Sequence, residues 1–383
     1  MSKKKLGFGL MRLPLLDPKD DSSIDMEQMK QMVDSFLEQG FTYFDTAWMY
    51  CDGKSEEAAK EALVSRHPRD SFTLTTKLPS YMLKKEEDRE WLFQEQLRRT
   101  GAGYFDYYWL HDVNRESLQN FDRLRCWDFI REKKAQGLVR HIGFSYHDGP
   151  ELLDKILTEH PEVEYVQLQL NYLDWESLGV QSRKCYEVAT RHHKPVIVME
   201  PVKGGALANV SDGVAAVMRE RHPELTPAAN ALTFVGSLPG VMVTLSGMSN
   251  MVQLTENVSL FTGFKPFDEQ EHNFMLTVAD LLKSKGQSPC TACAYCMPCP
   301  AGVDIPGNFK IFTSASDALL ALDSDRKDFA DKRKAFLKLY DGQPAGVRAD
   351  ACVKCNACLS KCPQHISIPQ HMDRIRDLVA RVR

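Results

Sequence analysis

Residues 42–77 read TYFDTAWMYCDGKSEEAAKEALVSRHPRDSFTLTTK. The stretch opens on Thr42–Asp45, a β-branched and aromatic run that ends on a carboxylate. It passes a glycine turn into Glu56–Ser65, where apolar residues recur at helical spacing, and closes on Phe72–Thr76, followed at once by Lys77. Strand, helix and strand in so short a span form a βαβ unit. The same alternation runs outward on both sides. Strand-like runs fall at Leu6–Met11, Tyr107–Leu110, His141–Phe144, Tyr165–Leu170, Val196–Met199 and Val241–Leu245. Helical patterns fall between them at Met26–Gln39, Glu87–Arg99, Phe121–Gln136, Leu178–His192 and Thr226–Val235. Strict β-then-α order over about 250 residues predicts an α/β fold, a (β/α)8 TIM barrel. An open doubly wound sheet is the alternative, but no Gly-x-Gly-x-x-Gly follows the first strand.

The last quarter has a different character. Eight of the eleven cysteines sit there, in two runs that each close on Cys-Pro. The first is Cys290-x2-Cys293-x2-Cys296-x2-Cys299-Pro300; the second is Cys352-x2-Cys355-x2-Cys358-x3-Cys362-Pro363. The second has the bacterial ferredoxin spacing. Two-residue gaps let successive thiolates converge on one metal–sulfur cube. Zinc is the competitor for paired Cys-x-x-Cys units, but it gives no reason for a Cys-Pro close on both runs. Two 4Fe-4S clusters are therefore expected, in a region built to move single electrons. Where two clusters share a domain, the fourth cysteine of each run ligates the other run's cluster. That would group Cys290, Cys293, Cys296 and Cys362 against Cys352, Cys355, Cys358 and Cys299. The shortened gap before Cys299 departs from the usual spacing. Cys51, Cys126 and Cys185 are left to act as small buried hydrophobes, with Cys51 beside Tyr50 a possible pocket-lining residue.

The implied organisation is a barrel over residues 1–265, a helix and linker over 266–289 and a mainly helical, ferredoxin-like cluster domain over 290–383. Phe267–Lys283 reads as the connecting helix and Ser284–Pro289 as the linker. The stretch Ile305–Leu339 is helical in character and separates the two cysteine runs, while Arg374–Arg383 reads as a solvated last helix. With 43% hydrophobic and 26% charged residues, the composition is that of an ordinary globular protein. A net charge of −4 gives no footprint for nucleic acid, and no apolar run is long enough to span a membrane. The basic start, MSKKKLGFGL, lacks a long apolar core and a small-residue cleavage site. Thiolates held for iron suit a reducing compartment, so a cytoplasmic location in an oxygen-poor cell is expected.

Chemistry in such a barrel gathers at the C-terminal ends of the strands. Asp45, Tyr50, Lys77 and His111 all fall at or just beyond predicted strand ends. Each has an ordinary reading alone, as a helix cap or a satisfied core residue; together they stand out. The string Phe44-Asp45-Thr46-Ala47-Trp48-Met49-Tyr50, then Thr76-Lys77, then Trp109-Leu110-His111, resembles the aldo/keto reductases over about the first 262 residues. The resemblance implies reduction of a small carbonyl, or oxidation of an alcohol, with a nicotinamide, NAD(P)H. A phenol is a poor acid at neutral pH unless its phenolate is stabilised. Lys77, held against Tyr50 by Asp45, would place positive charge beside that anion. His111 would orient the carbonyl oxygen.

In the family, a Ser-Asn pair and a Gln hold the nicotinamide amide. Ser145 and Gln167 keep that pattern, whereas Tyr146 stands where the family has Asn. Met199 occupies the position after the seventh strand where a stacking Tyr is common. Ser246-Gly247-Met248-Ser249-Asn250 resembles the family's phosphate loop, at a helix N-terminus suited to anions. Glu256 and Asn257 match its adenine-contacting pair. Gly204 and Gly205 would complete the phosphate cradle. Gln253 stands where an Arg often grips a 2′-phosphate, so nothing selects NADPH over NADH. Trp48, Tyr81 and Trp175 offer aromatic walls without naming a substrate.

Hydride transfer moves two electrons, and each cluster takes one. A flavin can split the pair, so a second reading places FMN in the barrel. Its phosphate would lie at Gly204-Gly205 and Gly247–Ser249, with Arg12 steadying an anionic ring or phosphate. Electrons would then pass through the clusters to a carrier such as ferredoxin or flavodoxin. Two further readings are a plain reductase with structural clusters and an electron-transfer adaptor whose barrel docks a partner. A docking barrel has no use for a Lys-primed phenol.

Overall fold

The computed structural model describes residues 4–284, 290–315, 319–320, 322, 324–325 and 327–383. Residues 285–289 of the expected linker lie outside the described residues. Eight parallel strands close into a barrel in chain order. They are β1 (Leu6–Gly9), β2 (Tyr43–Asp45), β3 (Thr73–Pro79), β4 (Phe105–Val113), β5 (Val139–Tyr146), β6 (Tyr165–Gln169), β7 (Val196–Met199) and β8 (Val241–Ser246). Closure through the pairing of β1 with β8 excludes the doubly wound alternative.

Side chains alternate between the two faces of a strand, so residues two apart share the barrel interior. One interior cluster of buried residues is Tyr43, Tyr107, Trp109, Ile197, Val243 and Leu245. Tyr107 and Trp109 stack with ring centres 6.1 Å apart, and Thr75 Oγ1 bonds the Tyr43 hydroxyl at 2.8 Å. This layer is tight enough to demand glycine twice. A Cβ on Gly7 would lie 2.7 Å from Leu245 and Val243, and one on Gly143 would lie 2.5 Å from the Tyr165 carbonyl. Two residues further along their strands, Asp45, Lys77, His111, Ser145 and Gln167 inherit the same inward register above the layer. The plug of aromatic side chains is therefore the floor on which the polar site is built.

Several helices differ from their sequence pattern. Phe121–Gln136 is broken into Arg115–Arg123 and Cys126–Ala135, because Arg125 takes a left-handed backbone with φ 49°. Leu178–His192 begins only at Ser182, since Gln181 is left-handed (φ 54°) and Leu178 stands in solvent. Glu56–Ser65 is a short α-helix, Ser55–Ala59, continued by a π-turn over Lys60–Val64. Among its described residues, the helical stretch after the first cysteine run includes the separate helices Ile305–Thr313 and Phe329–Asp341.

The chain divides into two compact units. The first comprises Met1–Asn171, Gln181–Pro201 and Leu232–Asp268, and contains all eight strands. The second comprises Tyr172–Val180, Val202–Ala231 and Glu269–Arg383. Two segments that follow β6 and β7 in sequence thus belong with the cysteine-rich region, a partition the sequence pattern did not suggest. The second unit has its own apolar core, including Val303, Ile305, Phe309, Phe312, Phe336 and Met372. No helix among the described residues is long and apolar enough to cross a membrane.

Candidate active site and cluster sites

Asp45 ends β2, Lys77 lies within β3 and His111 within β4, and all three are buried. Tyr50 sits on the turn between β2 and the helix at Ser55–Ala59. Thr46 Oγ1 and Ser55 Oγ are 2.7 Å apart, and Ser55 Oγ donates to the Leu10 carbonyl at 2.9 Å, which fixes this turn against the end of β1. Lys77 Nζ donates to Asp45 Oδ1 at 2.5 Å, to the Thr46 carbonyl at 2.8 Å and to the Tyr50 hydroxyl at 3.3 Å. The His111 ring meets Tyr50 edge-on, with centroids 6.0 Å apart. All four expected residues converge.

Burial draws both members of the ion pair toward neutrality, the Asp45 carboxyl upward and the Lys77 ammonium downward, and each charge opposes the other's shift. The Tyr50 phenol is pushed well above its ordinary range, first by burial and then by the carboxylates of Asp45 and Glu200. Burial and these carboxylates favour the protonated phenol at rest, and Lys77 Nζ stands 3.3 Å from the oxygen where the anion would develop. His111 is held neutral, well below its usual range, by burial and then by Lys77.

A second buried network supports Lys77 and had no sequence signal beyond helical periodicity. Glu56 Oε1 accepts from Thr76 Oγ1 and from Gln96 Nε2, both at 2.7 Å. Gln96 Nε2 also donates to the Lys77 carbonyl at 3.0 Å, and Tyr108 donates to Gln96 Oε1 at 2.8 Å. Arg99 pairs with Glu56 at 3.3 Å and lies over the Trp48 ring. Another residue the sequence did not single out is Glu200, directly after β7. Its backbone is left-handed (φ 57°), and its buried Oε2 has no hydrogen-bond partner among the described residues.

The expected cofactor residues are placed less uniformly. Gln167 Nε2 reaches Asp45 Oδ2 at 3.5 Å, and Ser145 Oγ accepts from the Asp112 amide at 2.8 Å. Tyr146 is buried with its hydroxyl on the Gly149 carbonyl at 2.5 Å. Met199 ends β7 half-buried. On the loop after β8, Ser249 Oγ donates to the Arg12 carbonyl at 3.1 Å, and a Cβ on Gly247 would stand 3.2 Å from the Arg12 Cβ, so the two segments are in contact. Asn250 caps the helix Met251–Thr262 through the Gln253 amide, and Gln253 Oε1 in turn accepts from the Ser249 amide at 2.8 Å. Ser246 accepts from the Asn257 side chain at 3.0 Å, and Glu256 is half-buried on the next position. Gly204 and Gly205 belong to the second unit, and of the two it is Gly204 that departs from the expectation: a Cβ there would lie 2.3 Å from the Thr291 carbonyl oxygen. The space against Gly204 is filled by polypeptide, where a phosphate was expected.

In the second unit the eight cysteines sort into two groups. Cys290, Cys293, Cys296 and Cys362 line one hollow, walled by Ile305, Phe309, Ile366 and Ile368. Cys299, Cys352, Cys355 and Cys358 line another, beside Val303, Ile368 and Met372. No three metal-ligating side chains among the described residues stand close enough to hold a single ion. Four soft thiols spread around a hollow suit a multi-iron cube better than one zinc ion. Burial raises the Cys290 thiol to about 11 and the Cys296 thiol to about 12, so a metal must displace those protons on binding. Cys51, Cys126 and Cys185 are buried elsewhere.

The closed parallel barrel is a TIM barrel, with a lysine–carboxylate pair and a phenol brought together at its strand ends. The chain belongs to the aldo/keto reductase family, whose pattern matches residues 5–278, and it carries a 4Fe-4S dicluster domain over residues 289–367. It is 24% identical over 267 residues to an aldo-keto reductase of Bombyx mori, spanning 66% of this chain and 82% of that protein. An uncharacterized oxidoreductase of Bacillus subtilis is 23% identical over 268 residues, spanning 62% of this chain and 83% of that one. The aldo-keto reductase from Klebsiella pneumoniae in complex with NADPH shares the fold with a TM-score of 0.55 at 19% identity, covering 74% of this chain and 96% of that structure.

Proposed function

We propose that the barrel transfers hydride between NAD(P)H and a small carbonyl or alcohol, and that the clusters exchange single electrons with a ferredoxin or flavodoxin in a reducing, cytoplasmic setting. The observation that carries this reading is the lysine ammonium bonded at once to Asp45 and to the Tyr50 hydroxyl. A bound nicotinamide supplies the hydride. Tyr50, protonated at rest, gives its hydroxyl proton to the carbonyl oxygen. Lys77 then faces the phenolate left behind, and Asp45 keeps that lysine charged. His111, neutral, donates one ring N–H to the same oxygen and aligns it. Ser145 and Gln167 remain the residues suited to the nicotinamide amide. The Ser246–Asn250 loop suits its phosphates, with Glu256 and Asn257 beyond. In the second unit, Cys290, Cys293, Cys296 and Cys362 would ligate one cluster and Cys352, Cys355, Cys358 and Cys299 the other.

One observation favours FMN as a second reading. Tyr146, which stands where the family pattern has Asn, has its hydroxyl committed to the Gly149 carbonyl, which leaves the nicotinamide amide one partner fewer than the family pattern provides. Arg12, Gly247 and Ser249 would then meet the flavin phosphate. Anaerobic carbonyl reduction by NADPH, with Tyr50→Phe as control, tests the first reading. Loss of a general acid should lower kcat by about 10²–10⁴-fold, and undiminished activity would remove Tyr50 from the mechanism. FMN in the supernatant of the denatured protein would establish the second reading; its absence would exclude it.

A further inference from the structure

We propose that Lys203 sets the reduction potential of the cluster held by Cys290, Cys293, Cys296 and Cys362, making it the more readily reduced of the two. The inference rests on the ligand assignment above. Lys203, Asp174, Gln364 and Thr291 all belong to the second unit. Lys203 is 1% exposed, and its ammonium donates to both Asp174 carboxylate oxygens, at 2.7 and 2.6 Å, and to Gln364 Oε1 at 2.8 Å. Gln364 follows Cys362-Pro363, and Thr291 follows Cys290, so the lysine segment touches the chain next to the first and the last ligand of this cluster. On the Thr291 side the contact is so close that Gly204 has no room for a Cβ.

The arrangement is costly if it serves only to fasten segments together. A buried ion pair contributes little net stability compared with apolar packing of the same volume. Lys203 itself is left-handed (φ 48°), an unfavourable backbone for a residue with a side chain. Strain of this kind concentrates where a side chain must be aimed. A cube bound by four thiolates is anionic, and reduction adds one more negative charge. A fixed cation therefore stabilises the reduced form more than the oxidised form, and net charge is one of the determinants of cluster potential. Asp174 tempers the lysine charge. Near the other cluster, the pair of Lys354 with Asp373 is largely in solvent, where water and salt screen it. The two cubes thus differ in the charge buried beside them.

Redox titration of the full-length, cluster-loaded protein under anaerobic conditions, followed by electron paramagnetic resonance, tests this. Lys203→Met should shift one of the two one-electron steps to lower potential. The reduced-to-oxidised ratio at a fixed potential should fall about tenfold, the order exerted by a unit charge in a partly desolvated site; that is about 59 mV for one electron. Asp174→Asn should move the same step upward, and Lys203→Arg should leave it near the parent value. A purely structural role would move the Met and Asn variants in the same direction or not at all, and either result overturns the inference. Equal shifts of both steps would also overturn it. If Lys203→Met purifies without clusters, Asp174→Asn decides: an upward shift supports the inference, and no shift or a downward one overturns it. Parent protein lacking iron and acid-labile sulfide after anaerobic purification would overturn the ligand assignment and this inference with it.

Discussion

Replacing Lys77 by methionine removes the buried cation beside Tyr50 while keeping much of the stem that fills the space. Nζ lies 3.3 Å from the phenol oxygen. At that separation a unit charge and a full phenolate interact by about 5 kcal/mol at an effective dielectric of about 20. With about half of the phenolate charge formed at the transition state, about 2.5 kcal/mol is at stake, or up to roughly 70-fold in kcat. The opposing Asp45 carboxylate makes this an upper value. Alcohol oxidation should suffer more than carbonyl reduction, because there the phenolate must form completely before it accepts a proton. The change also leaves Asp45 buried without its ammonium, and breaking a buried pair costs about 3–5 kcal/mol of stability at most. Burial already drives the Asp45 carboxyl toward its protonated form, which reduces that cost. The assay is anaerobic NADPH oxidation at saturating carbonyl, accompanied by circular dichroism and thermal melting. A folded variant whose kcat stays within about twofold of the parent in both directions would refute the role given to Lys77.

Three further outcomes are expected. His111 is held neutral well below its ordinary value of 6.5, so near that pH the unfolded chain binds a proton that the folded chain refuses. Stability should be complete above about pH 6.5 and decline as pH falls below it, by up to about 1.4 kcal/mol per unit, until the folded imidazole also protonates. Urea unfolding across that range should show the slope, and His111→Gln should flatten it; an unchanged slope would contradict the burial argument. Cys362→Ser should perturb the same resonance signal as Cys290→Ser, and Cys299→Ser the other; if Cys362 instead pairs spectroscopically with Cys352, the crossed grouping is wrong. Gly204→Ala introduces a Cβ 2.3 Å from the Thr291 oxygen at a backbone φ of 63°. The left-handed alanine alone costs about 1 kcal/mol, and the clash adds to it. Iron content per chain should fall; full iron content and an unchanged melting profile would show that the close approach relaxes freely.

The barrel was legible because its signal is local and repeated. Tyr43 and Asp45, Thr75 and Lys77, Trp109 and His111 are pairs two residues apart, and a strand's period puts both members on one face. Asp45, Lys77 and His111 follow from the same rule, since strand ends are where interior polar residues meet solvent and substrate; Tyr50 stands on the turn beyond β2, and the resemblance to the aldo/keto reductases is what joined the four. Helix boundaries were less legible. The breaks at Arg125 and Gln181 come from left-handed backbones that no glycine announced, held by tertiary packing against local propensity. Glu56 and Gln96 were hidden for a related reason: on their helices they look like surface residues, and only the barrel above makes them buried partners of Thr76 and the Lys77 carbonyl.

Cysteine spacing alone specified two clusters, because ligands three residues apart can reach one small cube whatever the rest of the chain does. The sequence likewise determined the closed run of strands and the four residues converging at their ends. Other features depend on segments far apart in the chain, and only the tertiary structure decided them. Cys362 joins Cys290, Cys293 and Cys296 around one hollow across a long separation. Asp174 and Lys203, whose neighbours in sequence are barrel strands, are tied by a buried ion pair into the unit that holds the cysteines. Gly204 was expected to meet phosphate and meets the Thr291 backbone. Periodicity reports which face of an element is buried; it carries no information about which distant group buries it.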